Sequence, residues 1–171
     1  MSSAAFRIEP LGSAHDRSVF HCGEEILDRY LQTQATQDIR RRMANCFVAV
    51  EVATGRIAAY YTLSAASIPM VDLPAEETKR LPRYPTLPAV RIGRLAVDRA
   101  FQGRGLGAAL LADAAHRATP SDIAAFTLLV DAKNDEAVAF YQHHAFRALA
   151  SQPRMLFLPL ATVRNAHPSV G

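Results

Sequence analysis

From Glu24 the chain takes on a helical rhythm. Ile26, Leu27, Tyr30, Leu31, Ala35 and Ile39 recur at three- and four-residue spacing, which predicts one apolar face on a helix. Arg40, Arg41 and Arg42 close it, cations that suit the negative end of a helix dipole. Elsewhere the pattern is that of strands. Residues 5–9 predict a short first strand stopped by Pro10-Leu11-Gly12, and 13–22 hold a turn. Residues 46–52 and 57–66 predict an antiparallel hairpin about the turn Ala53-Thr54-Gly55-Arg56. Residues 67–88 carry Pro69, Pro74, Pro82, Pro85 and Pro88. A short helix fits at 75–81, and the rest reads as an ordered irregular loop suited to wall an acceptor substrate.

The most informative stretch follows. Val90 and Ile92 lie at even positions, Leu95 and Val97 at odd ones, so the strand should kink or bulge at Gly93-Arg94. Gln102-Gly103-Arg104-Gly105-Leu106-Gly107 comes next, and an alanine- and leucine-rich helix over about 105–118 follows at once. A strand, a glycine turn and a helix start make an anion-binding device, because glycine admits close approach and the helix start offers unpaired N–H donors. A Walker loop needs Lys-Ser/Thr after its last glycine, but Ala108-Ala109 stand there. In a dinucleotide-binding turn the third glycine comes one residue later. The plain alternative is a glycine turn that merely starts a helix.

Phe126–Ala132 predicts a strand buried on both faces, and Asn134-Asp135-Glu136 a helix start with a cap and an acidic first turn. Residues 147–151 and 154–159 predict two last strands, and no pattern continues after Thr162. The order predicts an α/β (α+β mixed) fold with a six- or seven-stranded mixed sheet and helices on both sides. Residues 1–162 are expected to be one domain and 163–171 a frayed tail.

Composition narrows the class. Hydrophobic residues are 50% of the chain, which excludes a disordered protein. The net charge of +3 does not by itself imply nucleic acid. Lys79 and Lys133 are the only lysines, so arginines carry the positive charge and offer forks suited to phosphate. Cys22 and Cys46 form no metal pattern, and reduced thiols in a cytosol are expected. The N-terminus does not read as a signal peptide, and no apolar run approaches membrane-spanning length. His143 and His144 point about 100 degrees apart on a helix and cannot easily share a ligand; His21 and His116 have no partner at metal spacing, so no metal is expected. Asp98, at a strand end, reads as a local hydrogen-bond acceptor.

Leu95-Ala96-Val97-Asp98 followed by Gln-x-x-Gly-x-Gly resembles the acetyl-CoA pyrophosphate loop of the GNAT acetyltransferases. Phe140-Tyr141-Gln142-His143-His144-Ala145-Phe146 is similar to the Phe-Tyr-x-x-x-Gly-Phe segment of that family, with Ala145 where the family usually has glycine. The resemblance narrows to the TacT/AtaT-type toxins of type II toxin–antitoxin modules through Phe20-His21-Cys22-Gly23, Leu27-Asp28-Arg29-Tyr30-Leu31, Ile92-Gly93-Arg94 and Leu128-Leu129-Val130-Asp131. It covers nearly the whole chain. It implies a largely antiparallel GNAT sheet, acetyl-CoA as co-substrate, and transfer of acetyl to the α-amino group of aminoacyl-tRNA, which blocks translation. It further implies a ribbon–helix–helix antitoxin, a homodimer and a cytoplasmic location.

On this reading the backbone of Gln102, Gly103, Arg104, Gly105, Leu106 and Gly107 binds pyrophosphate, with Arg104 able to add charge. Leu95, Ala96 and Val97 face the pantetheine arm, and a bulged N–H near Gly93-Arg94 polarises the thioester carbonyl. Asn134 either contacts coenzyme or caps its helix. Tyr141 is the general acid for the leaving thiolate, its alternative being a core aromatic. Arg91, Arg94, Arg40, Arg41 and Arg42 are the RNA-binding candidates; for the last three, a solvated helix end competes. An α-amine titrates near 8, so about a tenth is neutral at pH 7, against under about one in a thousand for a lysine amine. No carboxylate stands out as a general base, which agrees with an α-amine acceptor. An acetyltransferase acting on a small amine or a protein N-terminus, and a non-catalytic acyl-CoA-binding module, remain the alternatives.

Overall fold

β2 (Asn45–Glu51) and β3 (Ile57–Pro69) form the expected antiparallel hairpin, with a register shift between Ala49 and Val50. β1 (Phe6–Pro10) pairs antiparallel with β2, Phe6 opposite Glu51 and Pro10 opposite Phe47. Proline is tolerated there because β1 is an edge strand. The structure, a computed structural model, describes residues 5–166.

β4 (Thr86–Val97) and β5 (Thr127–Asp131) run parallel, paired from Ala89–Thr127 to Ile92–Val130. Parallel neighbours need a crossover, and α4 (Leu106–Ala118) supplies it. β7 (Met155–Pro159) returns antiparallel to β5, and β6 (Arg147–Ala148) pairs antiparallel with β7. The result is a seven-stranded mixed sheet in the order β1-β2-β3-β4-β5-β7-β6.

Several bounds differ from expectation. β3 runs on to Pro69 and β4 starts at Thr86, because Met70 N–H donates to the Pro85 carbonyl (3.0 Å) and closes the far end of the strand pair. Between them lie a 3₁₀ turn at Met70–Asp72 and α3 (Ala75–Thr78), shorter than expected. β6 stops at Ala148 because the Ala150 N–H turns to the Asp72 carbonyl (2.8 Å). The tail is corrected in part. α6 (Leu160–Ala166) carries residues 163–166, and its start is tied by buried Leu160 and by the Leu160 N–H to the Phe126 carbonyl at 3.0 Å. The rest of the expected tail lies outside the described residues.

The first helix is not uniform. α1 (Glu25–Arg29) continues into a π turn at Tyr30–Gln34 and then α2 (Ala35–Arg40). Leu31 and Ala35 are fully buried, whereas Ile26, counted on the apolar face from its spacing, is 79% exposed. Ile26 sits in the first turn, about 100 degrees around the helix from half-buried Leu27.

The chain gathers into two compact units, one holding the residues up to Ser64 with Gly93–Ala114, the other Ala65–Ile92 with Ala115 onward. The core of the first contains Phe20, Tyr30, Leu31, Val48, Ile57 and Tyr60; that of the second contains Ile68, Leu87, Leu129, Leu149 and Phe157.

α5 (Asp135–His143) ends in a Schellman motif. Ala145 N–H donates to the Gln142 carbonyl (3.1 Å), and Phe146 N–H reaches back to the Tyr141 carbonyl (3.1 Å). Ala145 therefore sits at φ +73, the left-handed conformation that glycine adopts without strain. Ala145→Gly is expected to stabilise the protein by about 1 kcal/mol, read as a higher urea midpoint at unchanged m. A lower midpoint would show that the site does not need positive φ.

Candidate functional site

The glycine turn adopts a backbone that its sequence requires. Gly103 and Gly105 stand at φ +79 and +78, and a Cβ at either would meet nothing within 4 Å. Glycine is needed there for the dihedral alone, and the open space lets a ligand approach the main chain. Leu106, buried at 5%, anchors the first turn of α4. The Ala109 N–H donates to the Gly105 carbonyl (3.1 Å), so the N–H groups preceding it fall in the helix's unpaired first turn. Oriented donors, a positive helix end and exposed glycines suit the pyrophosphate of a coenzyme. The Gln102 amide donates to the Val97 (3.2 Å) and Cys22 (3.3 Å) carbonyls, tying the turn to the end of β4. The Val97 carbonyl thus already accepts one bond, with its second lone pair left for another donor. The Arg104 guanidinium lies over the rings of Phe6 (4.8 Å) and Phe101 (5.8 Å) and 3.9 Å from Glu51. Its charge is answered by that carboxylate, which leaves the backbone as the turn's contribution.

The kink expected at Gly93-Arg94 does not show in the burial, since Ile92 and Ala96 keep one alternation across it and β4 runs on to Val97; what marks the point is a side-chain contact. Thr62, 1% exposed, accepts the Arg94 N–H on its hydroxyl at 3.0 Å. A Cβ on Gly93 would lie 2.9 Å from that same oxygen. The paired register of β4 with β5 ends at Ile92, one residue earlier. Beyond it come Leu95 and Val97, half-buried, with Ala96 buried between them. Of the N–H groups near Gly93-Arg94 offered from sequence as donors to a thioester carbonyl, that of Arg94 is already bonded to Thr62. The Arg94 side chain is laid on Tyr30, its guanidinium 3.7 Å from the ring centre.

Tyr141, in the other unit, is 9% exposed, with its ring edge-on to Phe140 (5.3 Å) and Phe146 (5.5 Å). The Phe146 contact is the apolar clasp that accompanies a Schellman end. Among the five tyrosines, Tyr30 donates to Asp38, Tyr60 to the Leu27 carbonyl and Tyr61 to Asp113. The Tyr141 hydroxyl has no protein partner among the described residues. Burial pushes its phenol up to about 12, so it holds its proton at any physiological pH. A fixed ring with an uncommitted, protonated hydroxyl fits a proton donor.

The remaining candidates divide. Asn134 caps α5, its carbonyl oxygen accepting the Ala137 N–H at 2.8 Å, which supports the structural alternative. Arg91, Arg40, Arg41 and Arg42 are exposed, with no hydrogen-bond or ion-pair partner to their side chains among the described residues. Arg42 sits at φ +60, where α2 ends in a second Schellman motif: its N–H donates to the Ile39 carbonyl and that of Met43 to the Asp38 carbonyl. Asp98, 3% exposed, accepts the N–H groups of His21 (2.9 Å) and Ala100 (2.8 Å), the local role expected of it. His144 packs edge-on against Phe140 at 4.9 Å. Among the described residues no group of three or more His, Cys, Asp or Glu is placed to hold a metal ion. Gln34, Asp38 and Thr62 carry no motif, and the sequence reading passed over them; Tyr30 entered it only as part of an apolar face and of the Leu27–Leu31 segment. Their positions in an apolar helix face and a strand read as packing.

The strand order and the glycine turn opening α4 are those of an acyl-CoA-dependent N-acetyltransferase, the class that comparison with known proteins gives. A model of the GNAT acetyltransferase domain matches residues 77–156. A tRNA-acetylating toxin of Mycobacterium tuberculosis is 35% identical over 156 residues, 90% of this chain and 92% of that protein. A probable toxin TacT of Sinorhizobium fredii is 29% identical over 168 residues, 92% of this chain and 93% of that one. Among solved structures, a tyrosine-to-phenylalanine mutant of KacT has a TM-score of 0.88 at 29% identity, covering 95% of this chain and 99% of its own. AtaT complexed with acetyl-methionyl-tRNAfMet has a TM-score of 0.87 at 29% identity, covering 94% and 98%. The chain belongs to the GNAT acetyltransferase family, within which its relatives include tRNA-acetylating toxins.

Alanine at 103 or 105 costs roughly 1–2 kcal/mol of local conformation, which falls on the turn rather than on the core. Gly103→Ala and Gly105→Ala are expected to raise KM for acetyl-CoA severalfold while Tm moves by only a few degrees. Unchanged coenzyme affinity in both would remove the turn from the site.

Proposed function

We propose that this protein is a toxin acetyltransferase that moves the acetyl group of acetyl-CoA to the α-amino group of aminoacyl-tRNA and so blocks translation. The observation that carries the reaction is Tyr141, a buried ring with an uncommitted, protonated hydroxyl on a helix whose end is clasped. The acceptor is carried over from the tRNA-acetylating relative that matches 90% of the chain. Residues 1–162 are read as one acetyltransferase domain.

Acetyl-CoA supplies the acetyl group as an activated thioester. The main chain from Gln102 to Gly107 binds the pyrophosphate, and the Leu95–Val97 segment lines the pantetheine arm. Asn134 adds at most its amide N–H₂, since its oxygen is held as a cap. An N–H of the β4 segment other than that of Arg94 polarises the thioester carbonyl. The neutral α-amine attacks, and Tyr141 gives its proton to the departing thiolate. Arg91 and Arg94, with Arg40, Arg41 and Arg42, meet RNA phosphates. No metal takes part in this scheme. AtaT has also been solved with acetyl-CoA and with its antitoxin AtaR. That complex supports an antitoxin partner for this protein; a ribbon–helix–helix class for it, a homodimer and a cytoplasmic location are what the family resemblance implies.

Transfer of labelled acetyl to charged tRNA, with deacylated tRNA as control, is expected to label the charged pool alone. Tyr141→Phe is expected to lower kcat by about 10²–10⁴ at unchanged KM for acetyl-CoA. Label on small amines but never on charged tRNA would replace the acceptor and keep the chemistry.

The pH profile gives a separate check. Activity is expected to rise through about pH 8 as the α-amine loses its proton. Tyr141, raised to about 12, stays protonated well beyond that rise. Its burial contributes stability that is full below the unfolded phenol pKa of about 10 and lost as pH climbs through about 12. A Tyr141-dependent alkaline loss of kcat below about pH 9, absent in Tyr141→Phe, would contradict the raised phenol pKa while keeping Tyr141 as the acid.

A further inference from the structure

The described arginines differ in what their guanidinium groups already do. Arg56 lies over Phe101 (5.1 Å) and 3.7 Å from Asp98. Arg104 lies over Phe6 and 3.9 Å from Glu51. Arg147 lies over Phe157 (5.6 Å), 3.6 Å from Glu76 and bonded to Glu77. Each has its face on a ring and its edge on a carboxylate. Arg94 has only the first half of that arrangement. Its guanidinium lies 3.7 Å from the centre of the Tyr30 ring, yet none of its N–H donors meets an acceptor among the described residues. The group is half-buried and its backbone N–H is fixed by Thr62. A guanidinium held by its face, with an open fork of donors, is preorganised for a two-oxygen anion.

The platform is itself braced. Tyr30, 5% exposed, opens the π turn. Its hydroxyl donates to Asp38 Oδ2 at 2.7 Å, while Gln34, closing the same turn, donates to Asp38 Oδ1 at 3.1 Å. A π turn adds a residue to the helical circuit and is found mostly at functional sites. Here both of its ends converge on one carboxylate. The Tyr30 hydroxyl, then the Gln34 amide, hold Asp38 below the usual carboxylate range, and the Arg94 charge adds to this. Asp38 is ionised and its oxygens are occupied, so it braces the ring without closing the fork.

We propose that the π turn Tyr30–Gln34 with Asp38 is a positioning device, which holds the Arg94 guanidinium edge-on for bidentate capture of a backbone phosphate of the acceptor RNA. The inference rests on the reading of the acceptor as tRNA. In it Arg94 touches the ligand; Tyr30, Gln34 and Asp38 act through Arg94.

The test is binding of deacylated tRNA to the full chain, read by fluorescence anisotropy between about 50 and 200 mM salt, with acetyl transfer and acetyl-CoA affinity measured alongside. Arg94→Ala is expected to weaken tRNA binding about tenfold and to reduce the salt slope by about one. Arg94→Lys keeps the charge and the slope but loses the fork, and binds severalfold weaker. Tyr30→Leu removes the platform and is expected to bind like Arg94→Lys, with the slope kept. Adding Arg94→Ala to it should reach the level of Arg94→Ala alone, a non-additivity that marks one unit. Since Tyr30 is a core residue, Tyr30→Phe, which keeps the ring and loses the Asp38 bond, provides a milder second variant. It should fall between wild type and Tyr30→Leu. Wild-type tRNA affinity and slope in Arg94→Ala, or additive losses in the double variant, would overturn the proposal. So would a loss confined to acetyl-CoA, which would assign the phosphate to the coenzyme. If the wild type binds tRNA through Arg94 and Tyr30 yet transfers no acetyl to charged tRNA, the acceptor reading fails and the positioning device stands. If transfer proceeds and these variants bind as wild type does, the device fails and the acceptor reading stands.

Discussion

One buried hydroxyl governs the middle of the central strand. Thr62 accepts the Arg94 N–H at a point where only glycine fits beside it, because a Cβ at 93 would press within 2.9 Å of the same oxygen. A side chain thus takes a bond that a regular ladder would have made. The register of β4 with β5 ends just before this point. Strands buried in a sheet hold their donors and acceptors in mutual pairs and offer nothing to a ligand. The Thr62–Gly93–Arg94 contact sits where the pairing of β4 with β5 stops, the stretch proposed to meet the coenzyme.

The two helices that bear on function end in the same way at a conformational cost. α2 and α5 both finish in Schellman motifs whose left-handed residue is not glycine but Arg42 and Ala145. Each costs on the order of 1 kcal/mol against glycine, and each is retained by the two reverse hydrogen bonds of the motif. At α5 the motif also brings Phe146 onto Tyr141, so the strained turn helps to fix the ring whose hydroxyl is proposed to act. At α2 it turns the chain directly after the bracing carboxylate Asp38, whose own carbonyl receives the Met43 N–H (2.9 Å).

Arginine serves two ends in this molecule. Arg56, Arg104 and Arg147 complete ring-and-carboxylate contacts and are structural as far as their charges go. Arg94 shares the ring contact and lacks the carboxylate across its fork. The distinction matters because a paired guanidinium must lose its partner before it can bind phosphate, whereas a stacked and open one gives up little conformational freedom on binding.

Local sequence determined the elements and the chemistry that depends on the chain near itself. Strand and helix order, the glycine turn and the Asn134 cap were legible, because periodicity, glycine spacing and capping residues act over a few neighbours; Tyr141 came forward through the family resemblance. The change of apolar alternation at Gly93-Arg94 predicted a kink that the burial of Ile92 and Ala96 does not follow, and the contact that marks the point, from a hydroxyl thirty-odd residues earlier in the chain, was not legible. Tertiary structure alone decided that the Arg94 N–H is already taken by Thr62 and that Arg104 is answered by Glu51. It alone set Tyr30 beneath Arg94. Each of these is a contact between residues far apart in the chain, and the pattern of a single segment carries no record of what another segment will place against it.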